Sequence, residues 1–125
     1  MSRIALVTGA NRGVGRVTAL ALARNKINVV VASRGGASEV VDNIIESGGE
    51  AISVQLDVAD LSSIEAARVA VLAGIEQEWN ASTIDVLVNL SLLHISEPTR
   101  PYSTSFAVFC LKIQYNPPQP TPVLL

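Results

Sequence analysis

The chain has 125 residues, room for one domain with one core, and its 49% hydrophobic content with a mean hydropathy of +0.39 describes an apolar-rich globule. A formal charge of −2 with no basic stripe argues against nucleic acid as a partner. No apolar stretch approaches the roughly 18 residues of a membrane span, and the N-terminus lacks the pattern of a signal peptide, so a cytoplasmic protein with no membrane partner is expected. Cys110 and His94 are each the sole residue of their type, which excludes an intramolecular disulfide and a Cys/His cluster; no metal is expected.

The apolar run Ile4-Ala5-Leu6-Val7 has the length and branching of a buried strand. Thr8 to Gly15 follows as a glycine-rich turn and leads into a helical pattern at Val14, Val17, Leu20 and Ala21 that ends near Asn25. A strand, a glycine turn and a helix in this order suit a phosphate group. Unpaired N–H groups and the positive end of the helix dipole point into the turn, and glycine lets a ligand approach the backbone. The spacing of Gly9, Gly13 and Gly15 is neither Gly-x-Gly-x-x-Gly nor a P-loop, and glycine turns also serve purely structural ends, so the context decides.

Asn28 to Ala32 is rich in β-branched residues and almost wholly apolar, the mark of a strand buried on both faces. Gly35-Gly36 marks a turn, and Ala37 to Ser47 carries Val40, Val41, Ile44 and Ile45 at helical spacing before Gly48-Gly49 stops it. Ala51 to Leu56 makes a third strand. Asp60 or Ser62 caps a long helix with apolar positions at Ile64, Ala67, Val71 and Ile75. Ile84 to Val88 is the fourth strand. The alternation predicts an α/β fold, a Rossmann-like doubly wound parallel sheet with right-handed crossovers. A ligand then lies across the carboxyl ends of the strands, where Gly9 to Gly15, Ser33-Arg34, Asp57-Val58 and the residues after Val88 converge.

An NAD enzyme carries an acid at the end of the second strand to accept the ribose hydroxyls. Here Ser33 stands in that place with Arg34 after it, and Arg12 lies inside the glycine turn. Two guanidinium groups can hold a 2′-phosphate, so NADP is expected as cofactor rather than NAD. Either arginine alone could be a solvated loop charge, and Asp57 by itself could be a turn or cap residue.

Thr-Gly-Ala-Asn-Arg-Gly-Val-Gly at 8–15 resembles the Thr-Gly-x-x-x-Gly-x-Gly signature of the short-chain dehydrogenase/reductase family. Leu56-Asp57-Val58 and Asp85-Val86-Leu87-Val88-Asn89 are similar to its motifs after the third strand and along the fourth. Residues 3–89 carry the resemblance, which implies a cofactor site built from Gly9, Asn11, Arg12, Gly13, Val14, Gly15, Ser33, Arg34, Asp57, Val58 and Asn89. Asn11, Arg12 and Arg34 would meet the adenosine ribose and its phosphate, and Asp57 with Val58 the adenine. The family's activity is hydride transfer between nicotinamide and a small carbonyl or alcohol, and its members form homo-oligomers. A dinucleotide-binding or sensing protein without catalysis is the alternative.

After Asn89 the family motifs stop. All six prolines, both Phe, both Tyr, Cys110 and His94 follow it and all eight Gly precede it, so the composition changes there as well. The family's serine and Tyr-x-x-x-Lys are missing: Tyr102 is followed four residues on by Phe106, and Tyr115 by Gln119. No catalytic residue is therefore assigned, because proton transfer has no provider. Residues 90–100 are similar to a translated sequencing-library adapter, differing at Leu93. The expectation is a dinucleotide-binding part at 1–89, truncated after about four strands, and an artefactual, irregular, poorly ordered tail at 90–125. Within that tail, Phe106 to Ile113 could form a strand or a short helix, and the fourth strand would lack its next parallel neighbour.

Overall fold

The structure, a computed structural model, describes residues 3–11, 13–57, 60–89 and 123–124. The chain runs β1 (Ile4–Thr8), α1 (Gly13–Arg24), β2 (Asn28–Ser33), α2 (Ser38–Glu46), β3 (Ala51–Gln55), α3 (Leu61–Trp79), β4 (Val86–Asn89) and β5 (Val123–Leu124). All strand pairs are parallel, in the order β3-β2-β1-β4-β5. From β1 the chain winds outward through β2 and β3, then crosses back to lay β4 on the other side of β1. This is the expected doubly wound, Rossmann-like arrangement. The reversal between β1 and β4 is the kind of switch point at which such sheets bind ligands.

The apolar runs of β1 and β2 are explained by two cores, one on each face of the sheet. On one face Leu6, Val30, Ala32 and Val54 pack against Ile64, Ala67, Val71 and Ile75 of α3. On the other, Val7, Val29, Val31 and Ala51 pack against Ala19 and Ala23 of α1 and Val40 and Ile44 of α2. Neighbouring residues of β2 thus point into different cores, so the strand must be apolar at every step. Each such buried Val, Ile or Leu stabilises the fold by about 1.5–3 kcal/mol.

The helix ends follow local chemistry. Asp60 caps α3, its carboxylate accepting from the Ser62 N–H at 2.9 Å, and Asn80 ends the helix in the left-handed conformation with φ 52. Asp85, just before β4, closes the lower end of the sheet. Its carboxylate accepts from the Ile4 N–H at 2.9 Å while its own N–H donates to the Ile4 carbonyl at 2.9 Å.

One expectation changes. The outer edge of β4 is paired: Val88 stands opposite Val123 and Asn89 opposite Leu124. The fifth strand has only two residues. The segment from Phe106 to Ile113, His94, Cys110 and the prolines lie outside the described residues.

Candidate functional site

The carboxyl ends of β1, β2, β3 and β4 share one edge of the sheet: Thr8 is level with Ala32, Ser33 with Gln55 and Val7 with Val88. The loops that follow these strands are thereby gathered along one rim, as the strand order requires.

The turn after β1 is the tightest part of this rim. Gly9 and Gly13 adopt φ 64 and φ 62, the left-handed region that disfavours a side chain. Gly15 has a different reason to be glycine. A Cβ there would lie 2.8 Å from the Gly9 carbonyl carbon and 2.9 Å from Ala10 Cα, with the Gly9 oxygen closer still, so the first turn of α1 can pack onto the turn only without a side chain. The Ala10 N–H donates to the Ala32 carbonyl at 3.1 Å, tying the turn to β2. The first N–H groups of α1 have no partner within the helix, and its first turn carries no acidic side chain to neutralise its positive pole. Asn11 and Val14 are exposed beside it; Arg12 lies outside the described residues.

After β2 the chain makes a turn from Ser33 to Gly36. Ser33 is buried at 4% exposure, and its hydroxyl donates to the Gly36 carbonyl at 2.6 Å. With its proton committed there, Ser33 shapes the loop and can only accept hydrogen bonds from outside it. Arg34 is exposed, no acidic residue stands between Ser33 and Ala37, and no ion pair engages Arg34 among the described residues.

After β3 the Asp57 N–H donates to the Ser63 hydroxyl at 2.8 Å and the Asp57 carbonyl accepts from the Asp60 N–H at 3.0 Å. The loop is closed around Asp57; Val58 lies outside the described residues. An open groove of about 780 Å³ runs between these loops, lined by Arg34, Gly35, Gln55, Asp57 and the start of α3. Asn89 reaches the same rim as the last residue of β4, with its backbone paired to Leu124. Of the residues expected at the site, the described ones thus share this edge. Sequence reasoning missed Ser53, Gln55 and Ser63, whose side chains bond the backbone of Ala37, Arg34 and Asp57. The available signal was polar alternation along β3, where Ser53 and Gln55 are two apart and therefore on one face.

A family model for short chain dehydrogenases matches residues 3–106, running past Asn89 where the sequence motifs stop. The chain belongs to the short chain dehydrogenase family. It is 45% identical over 91 residues to a 3-oxoacyl-[acyl-carrier-protein] reductase of Synechocystis sp., a match covering 70% of this chain and 34% of the relative. Among solved structures, a metagenomic short-chain oxidoreductase in complex with NADP is 34% identical with a TM-score of 0.61, over 70% of this chain and 38% of that one. A 3-ketoacyl-ACP reductase from Sinorhizobium meliloti superposes with a TM-score of 0.67 at 28% identity, over 89% of this chain and 47% of that one. The chain spans about a third of the length of the curated relatives it matches. Among the described residues no helix is long and apolar enough to cross a membrane, and no cluster of His, Cys, Asp or Glu could hold a metal ion.

Proposed function

We propose that this chain is the cofactor-holding part of an NADP-dependent oxidoreductase whose substrate is a small carbonyl or alcohol. The observation that carries the reading is Arg34: an exposed cation after β2, with no carboxylate in its turn, in the lining of the groove. A carboxylate there would accept from ribose hydroxyls and repel a 2′-phosphate, whereas a guanidinium binds the phosphate by charge-assisted hydrogen bonds. The positive pole of α1 fits the pyrophosphate, and the groove beside Asp57 fits the adenine. Arg12, inside the glycine turn, is the second expected phosphate ligand, Val58 joins Asp57 at the adenine, and Asn89 flanks the cofactor from β4.

The chemistry the bound dinucleotide supplies is hydride transfer to or from a carbonyl carbon. The residues of this chain bind and orient it: Gly9, Gly13 and Gly15 let the helix pole approach the phosphates, and Arg34 fixes the ribose end. A proton must also move to or from the substrate oxygen, and the sequence has no Tyr-x-x-x-Lys to move it. The reading is therefore a chain that binds cofactor without turning over, its homo-oligomeric parent carrying the serine, tyrosine and lysine downstream of codon 89. A binding or sensing protein differs in having no such codons, and sequencing source DNA across codon 89 separates the two.

Fluorescence titration with NADPH and NADH tests the cofactor assignment. NADPH is expected to bind more tightly by about ten- to a hundredfold, the size of a charged hydrogen bond. Equal affinity, or tighter NADH, refutes it.

A further inference from the structure

The turn that presents Arg34 is poorly held by its own backbone. Its closing bond, from the Gly36 N–H to the Ser33 carbonyl, is 3.4 Å long, and Gly36 has φ 86. An N–H···O bond of that length is beyond the usual 2.7–3.2 Å range. The Ser33 hydroxyl donates to the Gly36 carbonyl at 2.6 Å and the Leu56 N–H to the Ser33 carbonyl at 2.8 Å, and two side chains of β3 hold the rest of the turn. The Gln55 amide nitrogen donates to the Arg34 carbonyl at 3.0 Å, and the Ser53 hydroxyl accepts from the Ala37 N–H at 2.9 Å. Ser53 and Gln55 stand opposite Val31 and Ser33 in the sheet, two residues apart on one face, so together they grip both sides of the turn.

We infer that Gln55 and Ser53 are positioning residues that set the preference for a 2′-phosphate by fixing the backbone on which Arg34 is carried. The inference rests on the NADP reading of Arg34. Its physical basis is the charge of Arg34, which lines the groove. A 2′-phosphate gains from the guanidinium only within hydrogen-bonding reach, so a small displacement of Arg34 removes that gain. A cofactor without the 2′-phosphate has no such gain to lose. Loss of either tether must therefore weaken NADPH selectively.

The test is a double-mutant cycle on the full chain, reading the dissociation constants of NADPH and NADH by fluorescence titration. Gln55→Met keeps the side-chain length and removes the donor. It is expected to weaken NADPH about three- to tenfold relative to NADH, the worth of one neutral hydrogen bond. Ser53→Ala is expected to give the same one-sided loss and keeps the test available should Gln55→Met not fold. In an Arg34→Ala background neither change should affect NADPH further, a coupling that general loosening of the protein would not produce. If both tether variants weaken NADPH and NADH alike, or neither, while Arg34→Ala alone weakens NADPH, the positioning role is wrong and the cofactor reading stands. If Arg34→Ala leaves the ratio of the two unchanged, both are wrong.

Discussion

Replacing Gly15 by alanine tests the packing of the glycine turn. The added methyl would meet the Gly9 carbonyl group and Ala10 Cα, atoms of the main chain that cannot swing aside as a side chain would. Relief requires that α1 move away from β1 or that the turn open, and either motion uncovers Ala19, packed with Val7 and Val31. Overpacking of a tight core costs about 1–3 kcal/mol, and a backbone clash belongs at the upper end, near ~3 kcal/mol. With a urea slope of about 2 kcal/mol/M, the unfolding midpoint should fall by about 1.5 M. Gly13→Ala is the internal control. Among the described residues, beyond its chain neighbours and its own helix, nothing lies within 4 Å of a Cβ at that position, so its cost is that of holding alanine at φ 62, about 1–2 kcal/mol. Urea unfolding followed by circular dichroism should therefore rank wild type above Gly13→Ala and Gly13→Ala above Gly15→Ala. A Gly15→Ala midpoint equal to wild type, or above that of Gly13→Ala, would refute the reasoning.

Two further substitutions probe the ends of the elements. Asp85→Ala leaves the N–H of Ile4, a residue only 2% exposed, without its carboxylate partner; the expected loss is about 1–3 kcal/mol in urea unfolding, with Asp85→Asn, which keeps an acceptor, losing less. Asp60→Ala removes the cap on the Ser62 N–H and should cost about 1 kcal/mol by the same assay, while Asp60→Ser should cost little. An Asp60→Ala protein as stable as wild type would show that the cap contributes nothing.

Much of this fold was legible because its signals are local or periodic. The uninterrupted apolar run of β2 implied two covered faces, and the two cores show why: Val29 and Val31 face α1 and α2 while Val30 and Ala32 face α3. Ile64, Ala67, Val71 and Ile75 were expected along the buried stripe of α3, and each is at most 1% exposed. The rim was legible for the same reason, since strand order alone gathers the loops after parallel strands. What escaped reading depends on contacts between residues distant in sequence. Gln55 reaches the Arg34 carbonyl across 21 positions and Asp85 reaches Ile4 across 81; nothing local marks either bond. Ser33 was expected at the cofactor, and its residue type could not reveal that its proton is already given to Gly36. The pairing of β4 with Val123–Leu124 was equally hidden, because a two-residue strand has no period to detect.

The NADP proposal requires that Arg34, carried on the turn after β2, meet the 2′-phosphate. A crystal structure of the chain with NADP tests it most directly. Phosphate oxygens are expected within hydrogen-bonding distance of the Arg34 guanidinium, about 2.7–2.9 Å, with the adenine in the groove beside Asp57. A phosphate directed away from Arg34, or an adenine bound elsewhere on the sheet, would contradict it.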